Sequence, residues 1–326
     1  MAGRDREQTV KMNPSSKSLQ GEEVAVPRSV PAHGSKPWLI GLVWILVCMF
    51  LYRGPLRALL QLASHNDDES HILLIPFISL WLLYLDRAEF GRLSFDLLPA
   101  FFFLLPGSCL ALLANYSSRL DPSERLSSSA LSFLFFLGAG YVAIFGRTIL
   151  RKNWFPLAFL LFAVPLPEHL LNRLIYVLQA GSAAVAEVLF DVSGVPVLRE
   201  GFIFRLPRMS IEVAKECSGI RSSTALLVLA VLVAHFSFRP LWKKVAFVTA
   251  GLLMMLLKNG VRIVTLTLLA NYVDPDFLFG RLHHQGGVVF FVFGLVLLAP
   301  VYWLLRRTEH RQKSAKENTI ALVDNS

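Results

Sequence analysis

Charge is what this sequence has least of. Only 17% of its residues are Asp, Glu, Lys or Arg, against about 25% in soluble globular domains. Cysteine is scarce too, with three in 326 residues. That count excludes a disulfide-stapled fold, and with no CxxC or paired Cys/His spacing a structural zinc site has no support. The HExxH spacing of a catalytic metal is also missing. What fills the chain is apolar residue, 54% of the total, in blocks rather than a periodic stripe. Blocks of about 18 or more read as membrane spans, so a single soluble core is excluded.

The expected fold is an all-α polytopic membrane protein of about eight transmembrane helices. The spans fall near 38–60, 71–85, 97–116, 127–146, 154–168, 217–235, 245–271 and 286–305, by the rule of about 20 residues per crossing. Prolines inside the blocks (Pro76, Pro106, Pro165) predict kinks. The net charge of +9 does not point to nucleic acid, because the basic residues sit in short loops and tails between spans. Arg147, Arg151 and Lys152 lie between spans four and five, and Arg239, Lys243 and Lys244 between six and seven. Arg306, Arg307, Arg311 and Lys313 follow the last span. The positive-inside rule makes all three sites cytoplasmic, leaves the acidic run Asn66–Glu69 outside and puts both termini inside. Residues 1–37 are polar and mixed in charge, which predicts a disordered cytoplasmic tail rather than a cleaved leader. Residues 38–305 form the membrane domain, and 306–326 a basic cytoplasmic tail.

The stretch from about 169 to 216 is different. Leu170 to Phe190 is helical in period, with Asn172, Arg173, Gln179 and Glu187 interrupting the apolar run, as in an amphipathic helix along the outer interface. From Gly194 to Pro207, short β-type runs are broken by Gly and Pro, predicting a small hairpin-like element. It belongs outside the bilayer, because an open sheet edge cannot face lipid.

Alternation of the spans gathers three chemical groups at the outer side. Cys217, set between Glu216 and Ser218, opens span six. Arg262 lies 17 residues into span seven, roughly 25 Å from its inner end at the rise of an α-helix. His283 and His284 directly precede span eight. A thiol at a helix N-terminus ionises more readily. A histidine can accept its proton and later protonate a leaving amine. An intramembrane arginine, costly in lipid, can stabilise a thiolate or an oxyanion. Arg221, one turn beyond Cys217, can support the same charge. Each residue has a plainer reading: a packed cysteine, a snorkelling or ion-paired arginine, interfacial histidines, and Lys258 and Asn259 satisfying a kink beside Gly260. Co-location on one leaflet is what favours a thiol site. His65, His71, His283 and His284, with Asp67, Asp68 and Glu69, form a rival metal-binding set, without a recognised ligand spacing.

The motifs sharpen this choice. The segment from Ile211 to Ser222, centred on Lys215-Glu216-Cys217-Ser218-Gly219, resembles the cysteine motif of the exosortase/archaeosortase family. Asn259-Gly260-Val261-Arg262-Ile263 resembles its arginine motif, and His283 with Gly287 and Phe291 its histidine motif. Ser70-His71 with Leu74–Phe77, Val164–Pro167, Leu178-Gln179 through Ala183-Ala184, and Gly194–Val197 with Arg199–Gly201 are similar as well. The resemblance covers roughly 38–305. It implies a cysteine transpeptidase or protease of the cell inner membrane, working on the extracytoplasmic side without a cofactor or metal. Its substrates would be secreted proteins with a C-terminal sorting signal: a Pro-Glu-Pro type motif, an apolar span and a basic cluster. The acceptor would be water, an exopolysaccharide or a lipid. By this resemblance Cys217 is the nucleophile, Arg262 the stabiliser and His283 the acid/base, with His284, Arg221 and Asn259 as alternates or support. Two departures stand out: the histidine is doubled, and Val288 occupies a position where many relatives carry Trp. Rival functions are a transporter of an anionic solute, for which internal repeats are wanting, and a glycosyl- or acyltransferase resting on Asp67-Asp68.

Overall fold

The computed structural model describes residues 36–87, 96–207, 209–213, 219–274, 277 and 281–323. Ten α-helices and one small sheet are formed among them: α1 (Lys36–Leu51), α2 (Arg53–His65), α3 (Ile75–Leu85), α4 (Leu97–Tyr116), α5 (Pro122–Lys152), α6 (Phe155–Phe159), α7 (Glu168–Ser193), β1 (Leu198–Glu200), β2 (Ile203–Arg205), β3 (Ser210–Glu212), α8 (Ile220–Ser237), α9 (Leu241–Tyr272) and α10 (Arg281–Val323). Seven helical stretches are long and apolar enough to cross a membrane, or eight if α1 and α2, bent by 78° at Tyr52, make one span. The chain is therefore a multi-pass membrane protein, as its apolar blocks predict.

The helices run alternately between two ends. Trp38 meets Phe145, Trp44 donates to the Phe136 carbonyl (3.0 Å) and Tyr52 bonds Ser132 (2.6 Å), so α1 is antiparallel to α5. Gly140 makes that crossing close. A Cβ there would lie 2.0 Å from Trp44 Nε1. Gly140→Ala is expected to cost about 1–3 kcal/mol through overpacking, read as a lower unfolding midpoint in detergent. Tyr302 of α10 packs on Phe238 and Phe247, while Lys243 donates to the Leu305 carbonyl (3.2 Å). His235 stacks on Phe155 at 3.6 Å between centroids. One end of the bundle thus collects Arg147, Arg151, Lys152, Arg239, Lys243, Lys244, Arg306 and Arg307. We call it the basic end.

The fifth crossing differs from the expected helix over 154–168. Pro156 sits in the first turn of α6, which ends after five residues. A 3₁₀ turn (Leu160–Ala163) follows, and Val164 is extended (φ −84°, ψ 119°). The residue before a proline is pushed out of the α region, and here Pro165 and Pro167 follow in quick succession. The chain still passes from the basic end, where Phe155 meets His235, to the opposite end. There the Glu168 N–H donates to Ser123 Oγ (3.2 Å) and His169 approaches Glu124 (3.3 Å). Helix α5 also breaks, at Gly146 (φ 78°).

The amphipathic helix expected over 170–190 is α7, and its length and apolarity suffice for a span. Its first turn touches the N-terminus of α5. Its second half lies along the second half of α9: Gly181 faces Leu256, Ser182 meets Asn259, and Val185 and Ala186 cover Gly260. Both contacts are with the parts of α5 and α9 remote from the basic end. The expected hairpin is present as β1–β2, with Glu200 opposite Ile203 and Gly201 (φ 64°) in the turn. A third strand, β3, adds to β2 with Ile203 opposite Glu212. Period-2 alternation buries Phe204 of β2 against Phe190, in a core shared with Ala183, Ala186, Ile263 and Val264. The ion pair Arg199–Glu187 (2.6 Å) ties the sheet to α7.

Candidate active site

At the end of the bundle remote from the basic residues, buried polar side chains form a seam between α7 and α9. Gln179 and Ser182 of α7 and Lys258 and Asn259 of α9 are all buried. Buried polar groups are costly unless bonded, and these hold the backbone at Val213 and around Gly219. Gln179 Nε2 donates to the Val213 carbonyl (2.9 Å), and the Val213 N–H donates to the Phe202 carbonyl (2.9 Å). Val213 is the last described residue before 214–218. After them, Gly219 is the N-cap of α8 in the left-handed conformation (φ 67°). A Cβ on Gly219 would sit 2.7 Å from Asn259 Oδ1 and 3.7 Å from Lys258 Nζ. Only glycine satisfies both the φ and the approach. Asn259 Nδ2 donates to Ser182 Oγ (3.0 Å), Lys258 Nζ to Ser222 Oγ (2.6 Å), and Ser222 Oγ to the Gly219 carbonyl (3.1 Å).

Cys217 lies outside the described residues. The structure describes both its flanks: the helix of span six, expected to open at Cys217, starts at Ile220 with Gly219 as its N-cap. Arg262 is half-buried on α9, one turn beyond Lys258 and Asn259. Arg221 is exposed in the first turn of α8. His283 and His284 lie in the first turn of α10, and their side chains are outside the described residues. Gly294 of α10 packs on the Lys258 stem (3.1 Å to Cδ). Eleven residues of helix from there to His283 put the first turn of α10 roughly 16 Å beyond Lys258, one to two turns past Arg262. The backbone there is thus farther from the basic end than Arg262 is.

His65 and His71 are spent locally. His65 Nδ1 meets the Gln61 carbonyl (2.9 Å), and His71 Nδ1 the Asp68 carbonyl (3.2 Å). Among the described residues, no group of three or more His, Cys, Asp or Glu side chains is placed to hold a metal ion. Lys258 is the residue that sequence reasoning undervalued. Read as support for a kink, it is instead fully buried beneath the start of α8, and its place within an apolar span was the available signal.

The chain is thus a many-span helical membrane protein with a buried polar seam between α7 and α9 at the end away from its basic loops. Residues 63–300 match the transmembrane exosortase family. The match takes in α3 to α9 whole and reaches Pro300 of α10, so the chain belongs to that family. No curated protein and no solved structure matches it. Family membership supports a membrane transpeptidase role.

Proposed function

We propose that the protein is a cysteine transpeptidase or protease that cleaves a C-terminal sorting signal of Pro-Glu-Pro type on secreted proteins. The Cys217 thiolate attacks the scissile carbonyl carbon. Arg262 stabilises the charge that moves to the carbonyl oxygen. The C–N bond then breaks, His283 gives its proton to the departing amine, and an acyl-enzyme thioester remains. Water, an exopolysaccharide or a lipid nucleophile attacks the thioester and restores the thiol. The site faces the extracytoplasmic side of the inner membrane and the basic end the cytoplasm, in keeping with the positive-inside rule. Residues 1–37 and 306–326 serve as cytoplasmic tails of the 38–305 membrane domain.

The observation that carries this reading is the clamping of both flanks of 214–218, by Gln179 on Val213 and by Asn259 and Lys258 on Gly219. In sequence Cys217 is two residues from Gly219, whose neighbour Asn259 precedes Arg262 by three residues on α9. The test is capture of the intermediate. Purified protein is incubated with a sorting-signal peptide, quenched in acid and digested. Mass spectrometry should find the N-terminal part of the peptide on the 211–221 region, released by neutral hydroxylamine. The same adduct in His284→Ala but not in His283→Ala supports the histidine assignment; the reverse pattern replaces it. No adduct on any cysteine, with cleavage still proceeding, would sink the thioester.

A further inference from the structure

The bend between α1 and α2 shelters a recess of about 270 Å³ that no part of the proposed chemistry uses. Met49 of α1, Leu56 and Leu59 of α2, and Phe133 and Leu137 of α5 line it, with Val164 of the broken fifth crossing. Tyr52 and Ser129 are the polar side chains on its wall, and both hydroxyls are already bonded. Tyr52 is paired with Ser132 Oγ (2.6 Å), and Ser129 donates to the Arg125 carbonyl (2.8 Å). A cavity without free hydrogen-bonding groups stays dry, and one of about 150 Å³ already admits a benzene-sized molecule. The recess therefore suits a hydrocarbon chain, and the bilayer around the bundle supplies one.

The helix beside it has the pattern of an interfacial element. Arg53, Arg57, Gln61 and His65 recur every four residues on an exposed face of α2, while Leu56 and Leu59 turn to the recess and Ala63 to the core. α2 leaves α1 at 78°, so it turns toward the plane of the membrane. The bend is deep. Tyr52 is bonded to Ser132, and Ser132 donates to the carbonyl of Gly107 (2.7 Å), near the middle of the apolar helix α4. Arg53 follows directly, and Arg57 lies one turn on. Exposed arginines at such depth are costly, and they draw phosphate and water down toward themselves. Arg53 covers the Phe50 ring (4.9 Å), and neither arginine forms an ion pair among the described residues.

We propose that this is a phospholipid site: one acyl chain fills the recess, and Arg53 and Arg57 hold the lipid phosphate beside the bend. A guanidinium matches phosphate geometry with two parallel hydrogen bonds. The bound chain covers the side of the bundle that the bend leaves open, next to the extended backbone at Val164. The proposal is independent of the cleavage chemistry, because no residue of the cysteine site takes part.

The test maps the lipid directly. The full-length chain in dodecyl maltoside is irradiated with a phosphatidylglycerol carrying a diazirine in one acyl chain, and the cross-linked peptides are located by mass spectrometry. Labels are expected to concentrate on residues 45–59 and 129–137. The internal comparison is the α4 face with Leu97, Leu98, Phe101 and Phe102, which is exposed and apolar but outside the recess. Combining Arg53→Gln with Arg57→Gln should raise the lipid concentration for half-maximal labelling about fivefold per arginine. Ser129→Leu, which narrows the recess and keeps both arginines, should also weaken labelling there. Unlabelled phosphatidylglycerol should compete, and dioleoylglycerol, with chains but no phosphate, should compete poorly. If the double variant does not elute as a single species, Arg57→Gln alone carries the comparison. Labelling no denser in the recess than on α4, or unchanged without the arginines, overturns the site. Equal competition by dioleoylglycerol overturns the phosphate contact. Cleavage is not the readout, so a failure of the thiol reading in Cys217→Ala leaves this result untouched.

Discussion

Cys217→Ala is expected to abolish cleavage of a sorting-signal substrate, by at least about 10³-fold, as removal of a covalent nucleophile does. The three cysteines are not equivalent. Cys48 is buried in α1 and Cys109 sits exposed on the apolar helix α4. Neither has the positive surroundings that make a thiol reactive. Cys217 precedes by two residues Gly219, the N-cap of α8, where a Cβ would lie 3.7 Å from the buried Lys258 ammonium. The alanine variants of Cys48 and Cys109 should therefore process substrate at the rate of the parent. Cys217→Ser should fall nearly as far as alanine, because a hydroxyl ionises much less readily than a thiol. The measurement is the ratio of processed to unprocessed substrate on co-expression, with protein levels matched. Equal processing by the wild type and both Cys217 variants would remove the thiol from the mechanism.

Gly219→Ala is the second large effect. The substitution forces a side chain onto a residue with φ 67° and drives its Cβ to 2.7 Å from Asn259 Oδ1. The left-handed backbone alone costs about 1–2 kcal/mol. The close approach adds displacement, since Asn259 is anchored to Ser182 and cannot yield freely. A shift of about 1 Å in a reacting group lowers rates about 10²-fold, which is the loss expected in kcat. Gly194→Ala supplies the control. It too has a left-handed φ (70°), at the end of α7, but open space where the Cβ would go. It should cost similar stability and leave cleavage intact. Equal losses of activity in the two variants would mean that backbone strain, and not the Asn259 contact, explains Gly219.

Much of this was legible in the sequence, for reasons tied to particular residues. The apolar blocks located the crossings, because hydropathy over about 20 residues is a strong signal. Gly201 and the β-type runs beside it announced the hairpin. β3 was missed because Ser210–Glu212 is too short to show alternation by itself. The run 154–168 read as a helix since its Leu and Phe content is indistinguishable from one; only the close spacing of Pro165 and Pro167 hinted that the backbone opens. The segment over 170–190 had enough polar residues to read as interfacial, and enough apolar ones to meet the length and hydropathy of a span. Arg262 drew notice as a charge in an apolar run. Lys258 met the same criterion, but Asn259 and Gly260 beside it offered a local explanation. Contacts such as Gln179 to Val213, 34 residues apart, have no sequence signature at all. They arise from the packing of α7 along α9.

The broken fifth crossing has a consequence for how the protein is made. From Phe155 to Ala163 it offers nine residues of helical structure, less than half of what a segment needs to partition into lipid unaided. Its opened backbone has to be shielded by protein: Ser79 of α3 donates to the Pro156 carbonyl (2.6 Å), and Val228 of α8 closes the apolar cluster around Phe155, Phe159 and Ala163. The partner that covers it is synthesised more than fifty residues later. The segment therefore cannot settle when it leaves the ribosome. It waits for α8, so the membrane insertion of the N-terminal half is completed by a helix from the C-terminal half.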